Sequence, residues 1–150
     1  MAAVNNLPIY SKVGVITWGA ADGDGGAAGA LKTANTAKDG TGTTLTVFTA
    51  DATNGSRVDR ISIRAIGTNT ASVLRVFVNN GSTSATVANN TLVTEITLPA
   101  TTLSEVAQLA DVTISGTPFP IVLPPGYKLL VAIGTTIAAG VRVTAFGGNY

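Results

Sequence analysis

Carboxylates are the best candidates for acid–base catalysis in this sequence. The 150 residues include no histidine and no cysteine, which excludes the Ser-His-Asp triad, cysteine nucleophiles and the imidazole and thiolate ligands of zinc. Glu95 and Glu105 are the two glutamates, and a glycosidase would need a pair of carboxylates across one cleft. Glu105 fits a helix capping box, and Glu95 lies on the polar face of a predicted strand. We therefore expect no catalytic dyad and no enzyme.

A second candidate for site chemistry is the acidic turn Asp22-Gly23-Asp24-Gly25, which has the pattern of the start of a calcium loop. The third acidic position and the closing glutamate of such a loop are missing, so a flexible turn is favoured. The sequence contains no Walker A, strict G-x-G-x-x-G or G-x-S-x-G motif. We predict that the protein uses no cofactor and no metal ion.

The small number of charged residues limits the kinds of molecule that this chain is expected to bind. Charged residues make up 11% of the sequence, against roughly 25% in an ordinary soluble domain. The nine Lys and Arg residues are scattered and the net charge is +1, which argues against a nucleic-acid partner. No apolar run approaches the ~18 residues of a membrane span, and no signal peptide is visible. Other subunits could cover such a surface at modest cost, which favours a stable assembly over a solitary Thr-rich β-protein.

From residue 43 onward, period-two alternation and turn residues predict antiparallel strands. Asn54-Gly55 and Asn80-Gly81 are turn signals, and Pro125-Gly126 fits the central pair of a type II turn. The expected fold class is all-β: an antiparallel, jelly-roll-like β-sandwich of about eight strands, with one short helix and an extended N-terminal arm. The predicted strands are 44–50, 58–66, 72–78, 91–98, 112–115, 119–123, 127–133 and 140–146.

The short helix is expected to begin at Thr102. The sequence Thr102-Leu103-Ser104-Glu105 fits a capping box, in which the Thr hydroxyl and the Glu carboxylate satisfy each other's backbone donors. Val106, Leu109 and Ala110 then supply a short apolar stripe. The pattern indicates about two helical turns that bridge two strands.

Residues 1–42 differ from the rest of the chain. They are predicted to form an N-terminal arm and a Gly-rich tether, with residues 43–150 as the β-sandwich domain. Such an arm could become ordered on contact with a partner, and its apolar residues would then act as anchors. These anchors are Leu7, Ile9, Tyr10 and Trp18. The alternative is that residues 13–18 are simply the first strand of the sandwich.

Two arginines suggest a covered surface. If residues 67–70 close a hairpin, Arg64 faces Arg75 across it, and Phe77 lies beside them on the same face. Like charges directly opposite each other destabilise a sheet by a fraction of a kcal/mol, up to about one. We expect this face to be covered, with the arginines meeting carboxylates of another subunit or partner. Relief by Glu95 from a neighbouring strand, or by water, is the competing explanation.

Residues 58–150 resemble capsid-associated proteins of tailed bacteriophages, of the decoration or cement type. The segments that carry the resemblance are, in order, I-S-I-R-A-I-G-T-N-T, V-L-R-V-F-V-N-N-G, T-E-I-T-L-P, V-L-P-P-G-Y-K-L-L-V and the terminal F-G-G-N-Y. The resemblance implies a jelly-roll-like sandwich, commonly trimeric, that stabilises the shell from the outer surface of the capsid. It implies no catalytic residues.

The expected function is therefore that of a capsid cement protein. Its partners would be the major capsid protein and further copies of the chain in a homotrimer, with no nucleic acid and no membrane. It would be made in the host cytoplasm and reside on the virion. The residues expected at its interfaces are Leu7, Ile9, Tyr10, Trp18, Arg64, Arg75, Phe77 and Tyr150.

Two alternative functions remain open, a binding module and a shell protein. A receptor- or carbohydrate-binding sandwich of a phage tail or fibre would need exposed aromatic rings, but aromatic residues make up only 5% of the chain. Its candidate platforms are Tyr10, Trp18, Tyr127 and Tyr150. A self-assembling shell protein is the other alternative, for which 150 residues are few.

Overall fold

The computed structural model places nine β-strands of the described chain in two antiparallel sheets. It describes residues 30–109 and 111–150 in full, and the backbone of residues 12–18. The strands are β1 (Lys12–Trp18), β2 (Leu45–Thr49), β3 (Ser56–Ala65), β4 (Ser72–Asn79), β5 (Asn90–Leu98), β6 (Asp111–Ile114), β7 (Ile121–Leu123), β8 (Lys128–Ile133) and β9 (Val141–Asn149). A 3₁₀ turn at Val87–Asn89 is the remaining element of the described residues. The predicted all-β sandwich is confirmed, whereas a jelly-roll order of its connections stays a prediction.

The two sheets group strands that are distant in sequence. The five-stranded sheet has the order β1-β9-β3-β6, and β7 also pairs with β3, at the opposite end of that strand from β6. The four-stranded sheet has the order β2-β8-β4-β5. Consecutive strands such as β3 and β4 therefore lie in different layers.

The hydrophobic core lies between the sheets, because alternate residues of each strand point inward. Val58, Ile61 and Ile63 of β3 belong to one buried cluster with Leu74 and Val76 of β4. The four-stranded sheet is also buried on its outer side, where a second, smaller cluster lies. Its members are Phe77, Leu130 and Ala132.

All eight predicted strands are present, with ends displaced by a few residues. The type II turn is also confirmed: Gly126 has a φ of 74°, and the amide of Tyr127 donates to the carbonyl of Pro124 at 3.1 Å. Gly55 and Gly81 likewise have positive φ angles, of 77° and 92°, at the two Asn-Gly turns. Local turn chemistry thus matches the structure closely.

The predicted helix at Thr102 is wrong, because residues 102–109 contain bends and no helical turn. Ser104 is the local acceptor: its Oγ receives the amides of Val106 and Ala107 at 3.2 and 3.1 Å. A short helix is stable only when it buries an apolar face, but Leu103 is 54% and Val106 is 97% exposed. The capping pattern therefore forms an isolated turn.

The predicted hairpin between β3 and β4 is also wrong, because residues 66–71 cross from one sheet to the other. Arg64 does not face Arg75. Arg64 lies in register with Arg142 on one side and Asp111 on the other. Arg75 lies in register with Glu95, so the competing explanation for its charge is the one observed.

The buried side chain of Asn69 accounts for this crossing. Its Nδ2 donates to the carbonyls of Gly67 and Gly140, and its Oδ1 accepts from the amides of Ala139 and Gly140. The backbone of Asn69 also exchanges hydrogen bonds with Thr101 at 3.0 and 2.9 Å. These bonds fix the connection to two other loops, so it cannot turn β3 back on itself.

The N-terminal segment contributes to the sandwich. β1 pairs with β9, so the alternative that residues 13–18 form the first strand is the one observed. Leu31 is fully buried and exchanges backbone hydrogen bonds with Val141 at 2.8 and 3.1 Å. The division of the chain into two domains after residue 42 stays a prediction.

Asn35 closes residues 35–43 into a loop. Its side-chain Nδ2 donates to the carbonyls of Thr41 and Thr43 at 2.7 and 2.8 Å, and its Oδ1 accepts the amide of Ala37 at 2.9 Å. Its backbone amide donates to the carbonyl of Ile133 at 2.7 Å, next to the four-stranded sheet. One buried amide thus determines the path of this segment.

This loop covers the outer side of the four-stranded sheet. The carbonyl of Asn35 accepts from Nη1 of Arg75 at 3.2 Å, on the side to which Phe77 also points. At its far end, a Cβ added to Gly40 would lie 2.7 Å from Cβ of Asn90 in β5. The segment therefore spans the sheet from β8 to β5 on the side where Phe77 is buried.

A second loop, residues 81–89, joins β4 to β5 and is closed at its neck by two amide pairs. Nδ2 of Asn79 donates to Oδ1 of Asn90 at 2.8 Å, and Nδ2 of Asn80 donates to Oδ1 of Asn89 at 3.0 Å. The tip beyond this neck is exposed at residues 85–88. The amide pairs thus join the two ends of the loop, and Nδ2 of Asn90 also donates to the carbonyls of Ser84 and Thr86 within it.

Candidate interaction surface

The described residues contain no group of three or more His, Cys, Asp or Glu side chains that could hold a metal ion. Glu95 forms an ion pair with Arg75, and Glu105 lies on the exposed loop that precedes β6. No helix in the described part of the chain is long and apolar enough to cross a membrane. The features with the most definite geometry are instead surface side chains of the five-stranded sheet.

Four of these side chains are arginines on the outer side of β3 and β9. We call this surface the arginine face and define it by Arg57, Arg60, Arg64 and Arg142. Arg57, Arg64 and Arg142 lie next to inward-pointing residues such as Val58, Ile63 and Val143, so alternation directs these arginines outward. A register shift between Val58 and Arg60 inserts one extra residue, which keeps the arginines on both sides of the bulge on the same face.

Three of the four guanidinium groups have fixed neighbours. Nε of Arg57 lies 2.7 Å from Oδ1 of Asp59, an ion pair without a hydrogen bond, since this buried Nε has no hydrogen-bond partner. The guanidinium of Arg60 stacks over the ring of Phe146, 4.2 Å from its centroid. Nη2 of Arg64 donates to Oδ2 of Asp111 at 3.0 Å. These contacts orient most of the face.

Asp111 is the carboxylate most strongly tied to this face. Burial raises the pKa of its carboxyl, but hydrogen bonds from Ser62 and Arg64, with the charge of Arg64, outweigh that effect and lower the pKa below its ordinary value of 3.8. The Ser62 hydroxyl donates to Oδ1 at 3.0 Å. Asp111 is therefore a fixed negative charge at neutral pH.

Arg142 differs from the other three arginines. It is exposed and lies directly opposite Arg64, so two like charges face each other across the sheet. Arg64 has Asp111 on its other side, whereas Arg142 makes no ion pair, hydrogen bond or ring contact with any described residue. The predicted opposition of Arg64 and Arg75 is wrong, and the two arginines that face each other are Arg64 and Arg142.

The other arginine, Arg75, and its neighbour Phe77 are buried within the chain. Arg75 is 8% exposed and donates to the carbonyl of Asn35, and Phe77 is fully buried. Nε of Arg75 donates to Oε1 of Glu95 at 2.8 Å. The shared face with Arg64 that the sequence predicted for these two residues does not form, because β3 and β4 lie in different sheets.

The remaining predicted interface residues are scattered. Trp18 is in register with Thr144 at the edge of the five-stranded sheet, and Tyr150 is half-buried beside Gly55. Leu7, Ile9 and Tyr10 lie outside the described residues. A role for any of these residues at an interface stays a prediction.

The loop of residues 99–109 presents the most exposed large apolar side chain of the described residues. Val106 is 97% exposed, and Leu103 is 54% exposed. A groove of about 370 Å³ separates this loop from β3, and its walls are formed by Arg64, Ala65, Leu103, Ser104, Ala107, Gln108 and Leu109. The loop and the arginine face are therefore neighbours on one side of the molecule.

Sequence reasoning missed five residues of this surface, which are Arg57, Arg60, Asp111, Arg142 and Phe146. The alternation in V-R-V-T-A-F at residues 141–146 places Arg142 and Phe146 on one face, and this signal was available. The sequence did not reveal which strand lies next to β9, because no local pattern shows that β9 pairs with β3. The face is therefore a product of the sheet order.

Comparison with known proteins found no similarity to build on: no protein-family model, curated protein or solved structure matches the chain.

Proposed function

We propose that this chain is a non-enzymatic structural protein of a virion, a capsid cement protein that binds the outer surface of a tailed-phage head. It acts as an oligomer, a homotrimer by resemblance, and bridges subunits of the major capsid protein. The observation that carries the proposal is the arginine face, a set of oriented cations on the outer side of a rigid sheet.

The chemistry of this face suits a protein partner. All four cations of β3 and β9 are arginines, and arginine is enriched at protein interfaces, where its planar fork binds carboxylates with two parallel hydrogen bonds. Asp59 and Asp111 lie among them and would repel a continuous polyanion such as nucleic acid. A protein surface with dispersed carboxylates fits this pattern better.

The sandwich supplies the rigidity that cementing requires. Ordered arginines lose little side-chain entropy on binding, since Arg60 and Arg64 are already held by Phe146 and Asp111. A rigid oligomer with several such faces binds several capsid subunits at once, so weak single contacts add up to stable attachment. The proposed mechanism is therefore mechanical and needs no cofactor.

Capsid binding tests the proposal. Capsids of the encoding phage, prepared without this protein, are mixed with the purified chain, sedimented and heated. We expect saturable co-sedimentation and a higher temperature of capsid disruption. Arg60→Ala should weaken attachment, whereas Lys38→Ala, which removes an exposed cation elsewhere, should not. Absence of co-sedimentation at micromolar concentration would contradict the function.

The N-terminal arm is a separate part of the proposal. Deleting residues 1–11 removes Leu7, Ile9 and Tyr10 but leaves β1 intact, which deletion through Thr17 would not. We expect the shortened protein to stay folded by circular dichroism and to attach more weakly to capsids. Unchanged attachment would remove the arm from the interface.

A further inference from the structure

One exposed carboxylate stands apart from the other acidic groups. Among the described residues, five of the six acidic side chains have a hydrogen-bond or ionic partner; these are Asp39, Asp51, Asp59, Glu95 and Asp111. Glu105 has none in the described part of the chain and is exposed. Its position next to Val106 combines an unpaired negative charge with a fully accessible apolar side chain.

The turn around Glu105 is held in place. Oγ of Ser104 accepts the amides of Val106 and Ala107, and the amide of Leu103 donates to Oγ1 of Thr68 at 2.9 Å. Glu105 and Val106 are thus presented at the tip of an anchored loop. Val106 is a large apolar side chain at 97% exposure, a combination typical of a contact completed by another molecule.

Arg142 is the matching cation. It is the one arginine of the described residues that has neither an ion pair nor a ring contact, and Arg64 opposite it adds a second positive charge. A carboxylate placed between these two guanidinium groups would relieve their repulsion and accept charge-assisted hydrogen bonds. Ile66, half-buried beside them, offers apolar surface for Val106.

Strand order argues against this pairing within one copy. Asp111 in β6, Arg64 in β3 and Arg142 in β9 form a row across three strands, so Arg142 lies roughly 10 Å from β6 at the usual strand spacing. The loop that carries Glu105 leads into β6 at the other end of this row. On the side of Arg64 that faces β6, its guanidinium already donates to Asp111 of the same copy.

We propose that Glu105 and Val106 of one copy dock on Arg64, Arg142 and Ile66 of a second copy. A second copy of this chain thus occupies only the Arg64 and Arg142 end of the arginine face, next to the groove, and Arg57 and Arg60 stay available to the capsid. Donor loop and acceptor residues are neighbours on one side of the molecule, so the rotation between copies decides whether the contact is made twice about a two-fold axis or once per copy around a ring. The inference rests on the proposed function for its oligomer, but it requires no capsid.

Charge exchange tests the contact with purified protein. Sedimentation velocity at micromolar and nanomolar concentrations should show an oligomer for the natural sequence. Glu105→Arg and Arg142→Glu should each raise its dissociation constant by about tenfold to hundredfold, because each sets like charges against each other. The double variant Glu105→Arg with Arg142→Glu restores the opposite charges, so its oligomer should return.

The controls separate this contact from folding and from capsid binding. Lys38→Glu makes the same change in charge as Arg142→Glu at an exposed site away from the face, and should leave the oligomer unchanged. Circular dichroism confirms that each variant is folded. Three results would overturn the inference: a natural protein that is monomeric, single variants with an unchanged dissociation constant, or a double variant that stays dissociated. A monomer that still binds capsids would overturn this contact and the bridging oligomer but not capsid binding, and an oligomer that binds none would overturn capsid binding but not this contact.

Discussion

Two ion pairs of the same chain differ mainly in burial. The Arg75 side chain is 10% exposed and that of Arg64 is 67% exposed, although both donate to a carboxylate at about 3 Å. Water screens and solvates the exposed pair, whereas the buried guanidinium depends on its protein partners. The same residue types therefore serve stability at one position and leave a charge available for recognition at the other.

Removing one partner from each pair should show this difference. Glu95→Ala leaves the guanidinium of Arg75 with the carbonyl of Asn35, so we expect a loss of about 2 kcal/mol in unfolding free energy. Asp111→Ala leaves Arg64 exposed to solvent, and we expect the unfolding free energy to fall by less than about 1 kcal/mol. Urea denaturation of both variants measures the two values, and equal losses would contradict this interpretation of burial.

The lowered pKa of Asp111 predicts a loss of stability in acid. Its folded pKa is below the unfolded value of 3.8, so its contribution is present above that value and disappears as the pH falls through the folded pKa. The difference in unfolding free energy between the natural protein and Asp111→Asn should therefore shrink below pH 3.8. A difference independent of pH across that range would refute the role assigned to its charge.

At the scale of elements, local patterns determine the strands but not their partners. The turn at Pro125-Gly126 needs only adjacent residues, and it was predicted correctly. The pairing of Arg64 with Asp111 joins residues 47 apart in sequence. Alternation shows which side chains of one strand share a face, but it does not show which strand lies beside it. Asn69, which sends the chain to the other sheet, reads in the sequence as an ordinary turn residue.

Gly147 marks the closest approach of β9 to β3. A Cβ at this position would overlap the carbonyl oxygen of Arg57 and lie 2.9 Å from Cα of Val58. Gly147→Ala should therefore destabilise the protein by about 3 kcal/mol or more. Gly116 has nothing within 4 Å of an added Cβ, so Gly116→Ala should change stability by less than about 0.5 kcal/mol. Thermal unfolding of the pair checks both, and a stable Gly147→Ala would refute the close approach.

Asn35 controls the loop that covers the four-stranded sheet. Asn35→Ala leaves the carbonyls of Thr41 and Thr43 without their donor, at an expected cost of about 2 kcal/mol. Asn80→Ala breaks an exposed amide pair, and we expect it to cost less than about 1 kcal/mol. Proteolysis should cut the loop faster in the first variant only, and equal rates would contradict the role of Asn35.

At the scale of the whole molecule, the two layers are interleaved along the chain. The core needs Leu31 from the N-terminal part as well as β2 to β9, and the face of candidate function needs β3, β6 and β9 together. Composition and alternation were sufficient to predict a sandwich. They could not predict the candidate surface, because it depends on which strands meet.

Truncation should show where the folding unit begins. A chain of residues 30–150 keeps Leu31 and Asn35, and we expect it to fold despite the loss of β1. A chain of residues 43–150 loses a fully buried leucine and the cover over Phe77. That loss exceeds about 3 kcal/mol, a large share of the 5–15 kcal/mol that stabilises a typical domain, so we expect it to be largely unfolded. A folded 43–150 chain would support the domain boundary at residue 42.

The two amide pairs at the neck of residues 81–89 make this loop a site for carrying foreign sequence. Asn79–Asn90 and Asn80–Asn89 hold the two ends of the loop together. Each doubling of loop length adds only about 0.6 kcal/mol of closure entropy. A peptide epitope inserted between Ala85 and Thr86 would leave the strands in place and be displayed outward, once per copy of the chain.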